Sequence, residues 1–310
     1  WLNGDMTDLK DYPQGISATP HDLFASCFFA HSTEIVSKMA SVLGKEEDAV
    51  RYAKLFEKIK SAFNSEFVTT EGQIKVNTQG GYALALYFNL DDEPIRTKMT
   101  AHLLDAIEKY NHHLSTGFMA SHRLMLELSN HGHHDEALRL INLRTVPSWG
   151  YMVEMGATTI RERWDGYVKG RGYQNWHMNS FNHFAFGSVG EWVWRNLVGL
   201  NPVEEFPGYK HFMIRPRPGE GVTWVKGSYQ SMYGTIVCDW KIEEGQFILN
   251  LTVPPNTSAT IYLPATEIST VFENGQPVTQ SADIQFNRIE DKYVVLDITS
   301  GIYSFATKFK

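Results

Sequence analysis

The stretch Ile236-Val237-Cys238-Asp239-Trp240-Lys241-Ile242-Glu243-Glu244-Gly245-Gln246-Phe247-Ile248-Leu249-Asn250-Leu251-Thr252-Val253 decides the fold of the last third of the chain. Ile236, Cys238, Trp240 and Ile242 share one parity, and so do Phe247, Leu249, Leu251 and Val253. Side chains alternate across a strand, so each run buries one face and wets the other. Glu244-Gly245 between the runs is a hairpin signal, repeated at Asn274-Gly275. Further alternating runs fall near 211–215, 222–231, 259–263, 292–298 and 302–308. Together they spell an antiparallel β-sandwich of about 100 residues.

Toward the N-terminus the period changes. Pro202, Pro207 and Gly208 mark a linker, and the residues before it read as helices, which divides the chain into residues 1–203 and 204–310. Thr19-Pro20 with Asp22 reads as a helix start. That helix runs through Phe24, Phe28, Ile35 and Met39 to a stop at Gly44. Ala49, Tyr52, Phe56, Ile59 and Phe63 follow a 3.6-residue period. Pro94 opens another helix, with Ile95, Met99, Leu103, Ile107 and Tyr110 on one face. Shorter helical stretches fall near 78–90, 117–130, 134–144 and 182–198. Roughly seven or eight helices joined by short loops imply antiparallel helical hairpins.

The 310 residues carry a net charge of −7, from 28 basic and 35 acidic side chains. No Lys/Arg cluster exists to neutralise a phosphate backbone or an anionic lipid surface, so neither nucleic acid nor membrane is expected as a partner. No run approaches the roughly 20 apolar residues of a membrane span. The two cysteines, Cys27 and Cys238, form no CxxC pair and read as buried small hydrophobes. Aromatics are plentiful, with 8 Trp, 14 Tyr and 18 Phe. Their flat apolar faces serve cores and also suit the C–H faces of sugar rings.

Residues 145–183 fit neither the helical nor the strand pattern, and a long irregular segment inside a helical domain points to function. Its centre is Gly156-Ala157-Thr158-Thr159-Ile160-Arg161-Glu162-Arg163-Trp164-Asp165-Gly166. Arg161 and Arg163 flank Glu162 and would keep it ionised as a general base, with Trp164 as an apolar wall; the same charge alternation also suits a surface salt-bridge loop. Asn179-Ser180-Phe181-Asn182-His183 precedes a helix, where an amide and an imidazole serve either sugar hydroxyls or a cap and a core. Pro147-Ser148-Trp149-Gly150-Tyr151 sets Trp149 in a turn, as a stacking platform or a core plug. The histidines of Asn130-His131-Gly132-His133-His134-Asp135 cannot all converge on one ion from a helix–helix turn, so a solvated turn is expected and no metal. Gly170-Arg171-Gly172 lacks the preceding strand and third glycine of a dinucleotide loop, and no cofactor is expected.

Several ordered motifs carry a resemblance that spans nearly the whole chain. GATTIRERWDG, MNSFNHFAFGSVGEW, PGYKHFMIRPRPG, YQSMYG and VPPNTSATIYLP resemble the bacterial α-L-rhamnosidases of glycoside hydrolase family 78. HLSTGF, PSWGYMVEMGATT and the opening WLNGD agree with it. The resemblance implies an (α/α)6 barrel followed by a β-sandwich, the order read independently from periodicity.

It further implies cleavage of terminal α-L-rhamnose from a glycoside or polysaccharide with inversion, by two carboxylates spaced to admit a water. Glu162 matches the general base and His183 a sugar-contacting histidine. Trp1 and Trp149 match aromatic walls around the sugar, with Trp164 and Asp165 beside the base. Arg161 stands where the family usually has Trp, and a cation there would lower the pKa of the base. The family's general acid lies in a motif before the position of Trp1; Asp5, Asp8 and Asp11 do not carry its pattern. Twelve barrel helices of about 25 residues plus a sandwich need roughly 400 residues. The expectation is therefore an incomplete barrel, partnered by an N-terminal part of the same barrel. A carbohydrate-binding protein without catalysis is the alternative reading.

Overall fold

The computed structural model describes residues 18–174 and 176–309. Trp1, Asp5, Asp8 and Asp11 lie outside the described residues. The chain divides into two compact units, the first ending at Val189 and the second beginning at Gly190.

The first unit is helical: α1 His21–Val42, α2 Glu46–Phe67, α3 Gln79–Tyr87, α4 Glu93–Glu108, α5 Phe118–Asn130, α6 His134–Asn142 and α7 Trp149–Glu154. Gly44, at φ +66°, ends α1 and lets α2 fold back against it as a hairpin. α3 packs on α4 and α5, and α5 on α6. Pro94 sits in the first turn of α4, where its missing N–H has no intrahelical partner to lose.

Two local expectations change. Thr19 does not cap α1; Pro20 holds the N-cap position, and the Thr19 hydroxyl hydrogen-bonds that of Thr78 at 2.9 Å. Thr78 in turn caps α3 by accepting from the Gly81 N–H, so one hydroxyl pair ties two helix starts together. The buried residues of α1 are Leu23, Cys27, Ala30, Thr33 and Ala40, whereas Met39 is 57% exposed. This stripe of mostly small side chains lets neighbouring helices approach closely, and the larger Phe28 reaches sideways to meet Phe88 edge-on at 5.1 Å.

The helix expected over 182–198 is broken into single turns: a 3₁₀ turn Ala185–Ser188, an α turn Val189–Trp192 and a π turn Val193–Val198, closed by Gly199 at φ +87°. The π turn belongs to the second unit because its carbonyls are bonded there. Arg217 N–H donates to Asn196 at 2.8 Å, Trp240 Nε1 to Leu197 at 2.6 Å, and the Cys238 thiol to Val198. The compact units therefore separate ahead of the proline-rich linker that set the sequence boundary at 203/204.

After a two-residue ladder in the first unit, β1 Tyr167–Val168 with β2 Gly172–Tyr173, the second unit holds β3 Leu200–Pro202, β4 His211–Ile214, β5 Trp224–Ser231, β6 Gly234–Glu243 and β7 Gln246–Val253. β8 Ser258–Pro264, β9 Val271–Glu273, β10 Gln276–Pro277, β11 Ile284–Glu290, β12 Tyr293–Ile298 and β13 Gly301–Lys308 follow. They form a six-stranded sheet in the order β10-β9-β13-β7-β6-β5 and a five-stranded sheet in the order β11-β12-β8-β4-β3. Both hairpin signals hold: Glu244-Gly245 and Asn274-Gly275 each have two consecutive positive φ values. Trp240 pairs with Leu249 and Ile242 with Phe247, which sends the apolar parity of each strand into one core with Phe212, Leu251 and Phe305.

The sandwich is not wholly antiparallel. β4 runs parallel to β8, with Phe212 beside Ala259 and Ile214 beside Ile261. The three strands between them in sequence, β5 to β7, belong to the other sheet, so the chain crosses over and returns in the same direction. Cys27 and Cys238 are both buried, as expected of small hydrophobes; burial pushes the Cys27 thiol up to about 12, and raises Cys238 as well.

Gly199 is the tightest glycine described in the second unit: a Cβ there would sit 2.3 Å from the Pro216 nitrogen, on top of a left-handed φ. Gly199→Ala is expected to cost more than ~2 kcal/mol. Urea unfolding followed by far-UV dichroism measures it.

Candidate active site

Within the irregular segment of the first unit, two short stretches are tied together by backbone hydrogen bonds. Glu162 N–H donates to Ser180 at 2.9 Å, and His183 N–H donates to Ile160 at 2.8 Å. The Thr159 hydroxyl adds a bond to the Phe181 carbonyl. Residues 159–162 thus lie beside 180–183, which brings the stretches bearing Glu162 and His183 together from 21 residues apart in sequence.

The Glu162 Oε2 accepts from the Ser180 N–H at 3.0 Å, and Oε1 has no hydrogen-bond partner among the described residues. Arg161 and Arg163 bond elsewhere. Arg163 donates through Nε to Asp165 at 2.8 Å, and Arg161 donates through Nη2 to the Met155 carbonyl at 3.3 Å. The expected pairing of the carboxylate with its flanking arginines is therefore absent among the described residues, and the Glu162 carboxylate is fixed by a backbone N–H instead.

His183 is partly exposed and oriented by the turn that follows it. Its Nδ1 accepts from the Ala185 N–H at 3.3 Å, which assigns the proton of the neutral ring to Nε2 and leaves that N–H as a donor. Phe184 stacks on the imidazole at 5.3 Å with an 18° interplanar angle, and Phe118 tilts against it at 6.0 Å.

Trp149, Trp164 and Asp165 are buried. Ser148 caps α7 by accepting from the Tyr151 N–H, so Trp149 opens a helix rather than occupying a turn. Trp149 is 7% exposed and Trp164 3%. The two indoles meet edge-on at 5.0 Å, and Phe186 lies 3.7 Å from Trp164. Both indole N–H groups are spent on backbone carbonyls, Trp149 on Phe186 at 2.9 Å and Trp164 on Thr116 at 2.8 Å. Of the two readings of Trp149, its position is that of the core plug, and Trp164 joins it as a floor rather than an open wall.

Asp165, 2% exposed, accepts from Arg163 Nε, from Arg171 Nη2 at 3.2 Å and from Gln174 Nε2 at 2.7 Å. A carboxylate so occupied holds the loop. The Gly170-Arg171-Gly172 turn serves the same end, since its arginine also donates to the Asp165 carbonyl at 2.8 Å. The histidine turn is tied locally, His131 to Glu127 at 3.1 Å and His134 to Ser129 at 2.9 Å; no metal-binding group of side chains occurs among the described residues.

Sequence reading missed the supports. Gln79, fully buried at the start of α3, donates to the carbonyls of His113 and Ala106 and accepts from the Ser115 N–H at 2.8 Å, which fixes the loop carrying Thr116. Asn179 donates to the Gly166 carbonyl at 3.0 Å, and a Cβ on Gly166 would meet its side chain at 2.7 Å. A glutamine inside an apolar helix, Gln79 in QGGYALALY, is a signal that could have found the first of them.

Family models match this arrangement along most of the chain. The bacterial α-L-rhamnosidase six-hairpin glycosidase domain covers residues 1–197, and the bacterial α-L-rhamnosidase C-terminal domain covers residues 199–276. The chain belongs to the bacterial α-L-rhamnosidase family. An α-L-rhamnosidase of Streptomyces avermitilis is 40% identical over 97% of this chain and 28% of its own length. One of Formosa agariphila is 33% identical over 99% of this chain and 34% of its own. The crystal structure of the S. avermitilis enzyme complexed with L-rhamnose superposes with a TM-score of 0.89, covering 99% of this chain and 28% of that one. That of the Aspergillus terreus α-L-rhamnosidase gives 0.84 at 29% identity, covering 99% and 32%. The chain therefore spans about a third or less of the length of these relatives. Helical hairpins followed by a sandwich of two sheets is the fold shared with these rhamnosidases.

The Asp165 network makes the loop's stability depend on one carboxylate. Asp165→Ala strands the buried Arg163 guanidinium and is expected to cost ~3–5 kcal/mol. Comparing its urea midpoint with that of Asp165→Asn, which keeps an acceptor, separates the stranded charge from lost volume; the asparagine variant is expected to lose less.

Proposed function

We propose that this chain carries the base half of an inverting α-L-rhamnosidase active site, with Glu162 as general base. The observation that supports it is the Glu162 carboxylate, anchored through Oε2 to a backbone N–H while Oε1 stays free to accept a proton. The paired stretch supplies His183, whose free Nε2–H suits a sugar hydroxyl. That one relative is complexed with L-rhamnose supports the choice of sugar, a terminal α-L-rhamnosyl unit of a glycoside or polysaccharide.

In this reaction a water between Glu162 and the anomeric carbon gives its proton to Oε1 as its oxygen bonds to that carbon. The glycosidic bond breaks on the opposite face, and the departing oxygen takes a proton from a carboxylic acid. We assign that acid to sequence outside this chain, in a longer enzyme of the relatives' size whose remaining barrel completes the site. Trp149 and Trp164 act from beneath, as the rigid apolar floor that keeps the segment of residues 156–166 in place. Asp165 holds its shape. Trp1, which lies outside the described residues, remains the candidate for an aromatic wall.

A form of the protein extended to its relatives' length is expected to hydrolyse an aryl α-L-rhamnoside, releasing the β-anomer first by NMR. Glu162→Gln should lower kcat by about 10²–10⁴-fold with little change in thermal unfolding. His183→Ala should act mainly on KM. Undiminished turnover in Glu162→Gln would sink the assignment of the base. Calorimetric binding of rhamnose with no hydrolysis in the extended form would favour a carbohydrate-binding protein instead.

A further inference from the structure

Arg161 is a buried cation without enough partners. The side chain is only 4% exposed, its Nη2 reaches the Met155 carbonyl at 3.3 Å, and its Nε and Nη1 make no hydrogen bond. No carboxylate pairs with it among the described residues. Instead the guanidinium packs on aromatic faces, 5.1 Å from the centre of Phe181 and 6.0 Å from that of Tyr167. Burial pulls its pKa below the usual arginine range. A buried charged donor left unsatisfied is costly, and natural proteins rarely keep one without a use.

Arg161 lines a cavity of about 590 Å³. Neither Glu162 nor His183 borders it. The other cation on its wall is Lys169, which is exposed. Glu154 is the one acid there, and it already lies 3.6 Å from Arg144. A positive concavity thus sits in a chain whose net charge is −7. Part of the remaining wall is aromatic: Tyr167, Tyr173 and Phe181, with Tyr173 meeting its neighbours edge-on at 5.0 and 5.6 Å. Tyr173 is 73% exposed, so a ring face is open to a ligand. Thr158 contributes a hydroxyl.

We propose that this cavity binds an anionic sugar, a glycan unit bearing a carboxylate or a sulfate ester, as a site separate from the one holding Glu162. The Arg161 guanidinium is almost wholly buried and less screened than an exposed lysine, so it attracts an anion at the cavity wall more strongly. Tyr173 offers its face to the C–H side of the sugar ring, and Lys169 closes on the charge from the rim. The choice of a glycan unit rests on the rhamnosidase reading, whereas the binding itself does not require catalysis.

Calorimetric titration of the 310-residue protein with D-glucuronate, D-glucose 6-sulfate and D-glucose tests it. Saturable binding of at least one anionic sugar is expected below ~10 mM, with D-glucose at least tenfold weaker. The preferred anion tells whether carboxylate or sulfate is read. Arg161→Met, which removes the charge but keeps the stem, should weaken binding at least tenfold while its unfolding temperature stays level or rises. Lys169→Gln, at an exposed position where folding is not at risk, should weaken it two- to threefold, and Glu162→Gln should leave it unchanged. The proposal is overturned if neither anion binds, if D-glucose binds equally well, or if the folded Arg161→Met and Lys169→Gln proteins both bind as tightly as the parent. Loss of rhamnoside hydrolysis in Glu162→Gln is a separate readout, so either reading can fail without the other.

Discussion

The buried carboxylate of Asp165 is the constraint on which the candidate active site depends. It gathers Arg163, Arg171 and Gln174 around one point, and its own main-chain carbonyl takes a further bond from Arg171. A charge in a low-dielectric interior tolerates few geometries, because each lost partner leaves an uncompensated ion. The loop from residue 163 to residue 174 is thereby closed on itself, and Arg163 adds a reach to the Met178 carbonyl at 3.4 Å. With that loop fixed, Trp164 is held where its indole N–H meets Thr116, and the stretch leading to Glu162 has a firm end.

Pairing against residues 180–183 supplies the other end. Neighbours in sequence then meet different partners. Glu162 keeps a free carboxylate oxygen, while Arg161 is buried among aromatic rings. The stack of Trp149, Trp164 and Phe186 beneath is packed and hydrogen-bonded, so it can hold position without touching a ligand.

How far the sequence reached differs from element to element. Period-2 alternation at 236–253 foretold the hairpin to the residue, because strand parity and two positive-φ turn positions are local properties. The strands of residues 271–273 and 276–277 were marked only by the turn between them, and the one at 284–290 was not foreseen, since short or exposed edge strands leave no apolar alternation to read. α1 misled for the opposite reason: its inner stripe is mostly small residues, and the large apolar ones that catch the eye sit at its flanks. The parallel pairing of β4 with β8 left no mark either, because direction is decided by where the chain returns.

The sequence by itself determined the helix-then-sheet order, the two tight hairpins, the burial of both cysteines and, through its ordered motifs, the family and the stretch that bears Glu162 and His183. Only the tertiary structure decided what the residues in that stretch do. Arg161, Glu162, Arg163 and Asp165 read alike as a charged run, and their distinct fates depend on partners 2 to 18 positions away. Trp149 and Trp164 carry aromatic faces suited equally to a sugar and to a core, and only packing against Phe186 settles which face is covered. Local periodicity is set by the covalent chain and survives in any context, whereas burial and pairing are properties of contacts made across it.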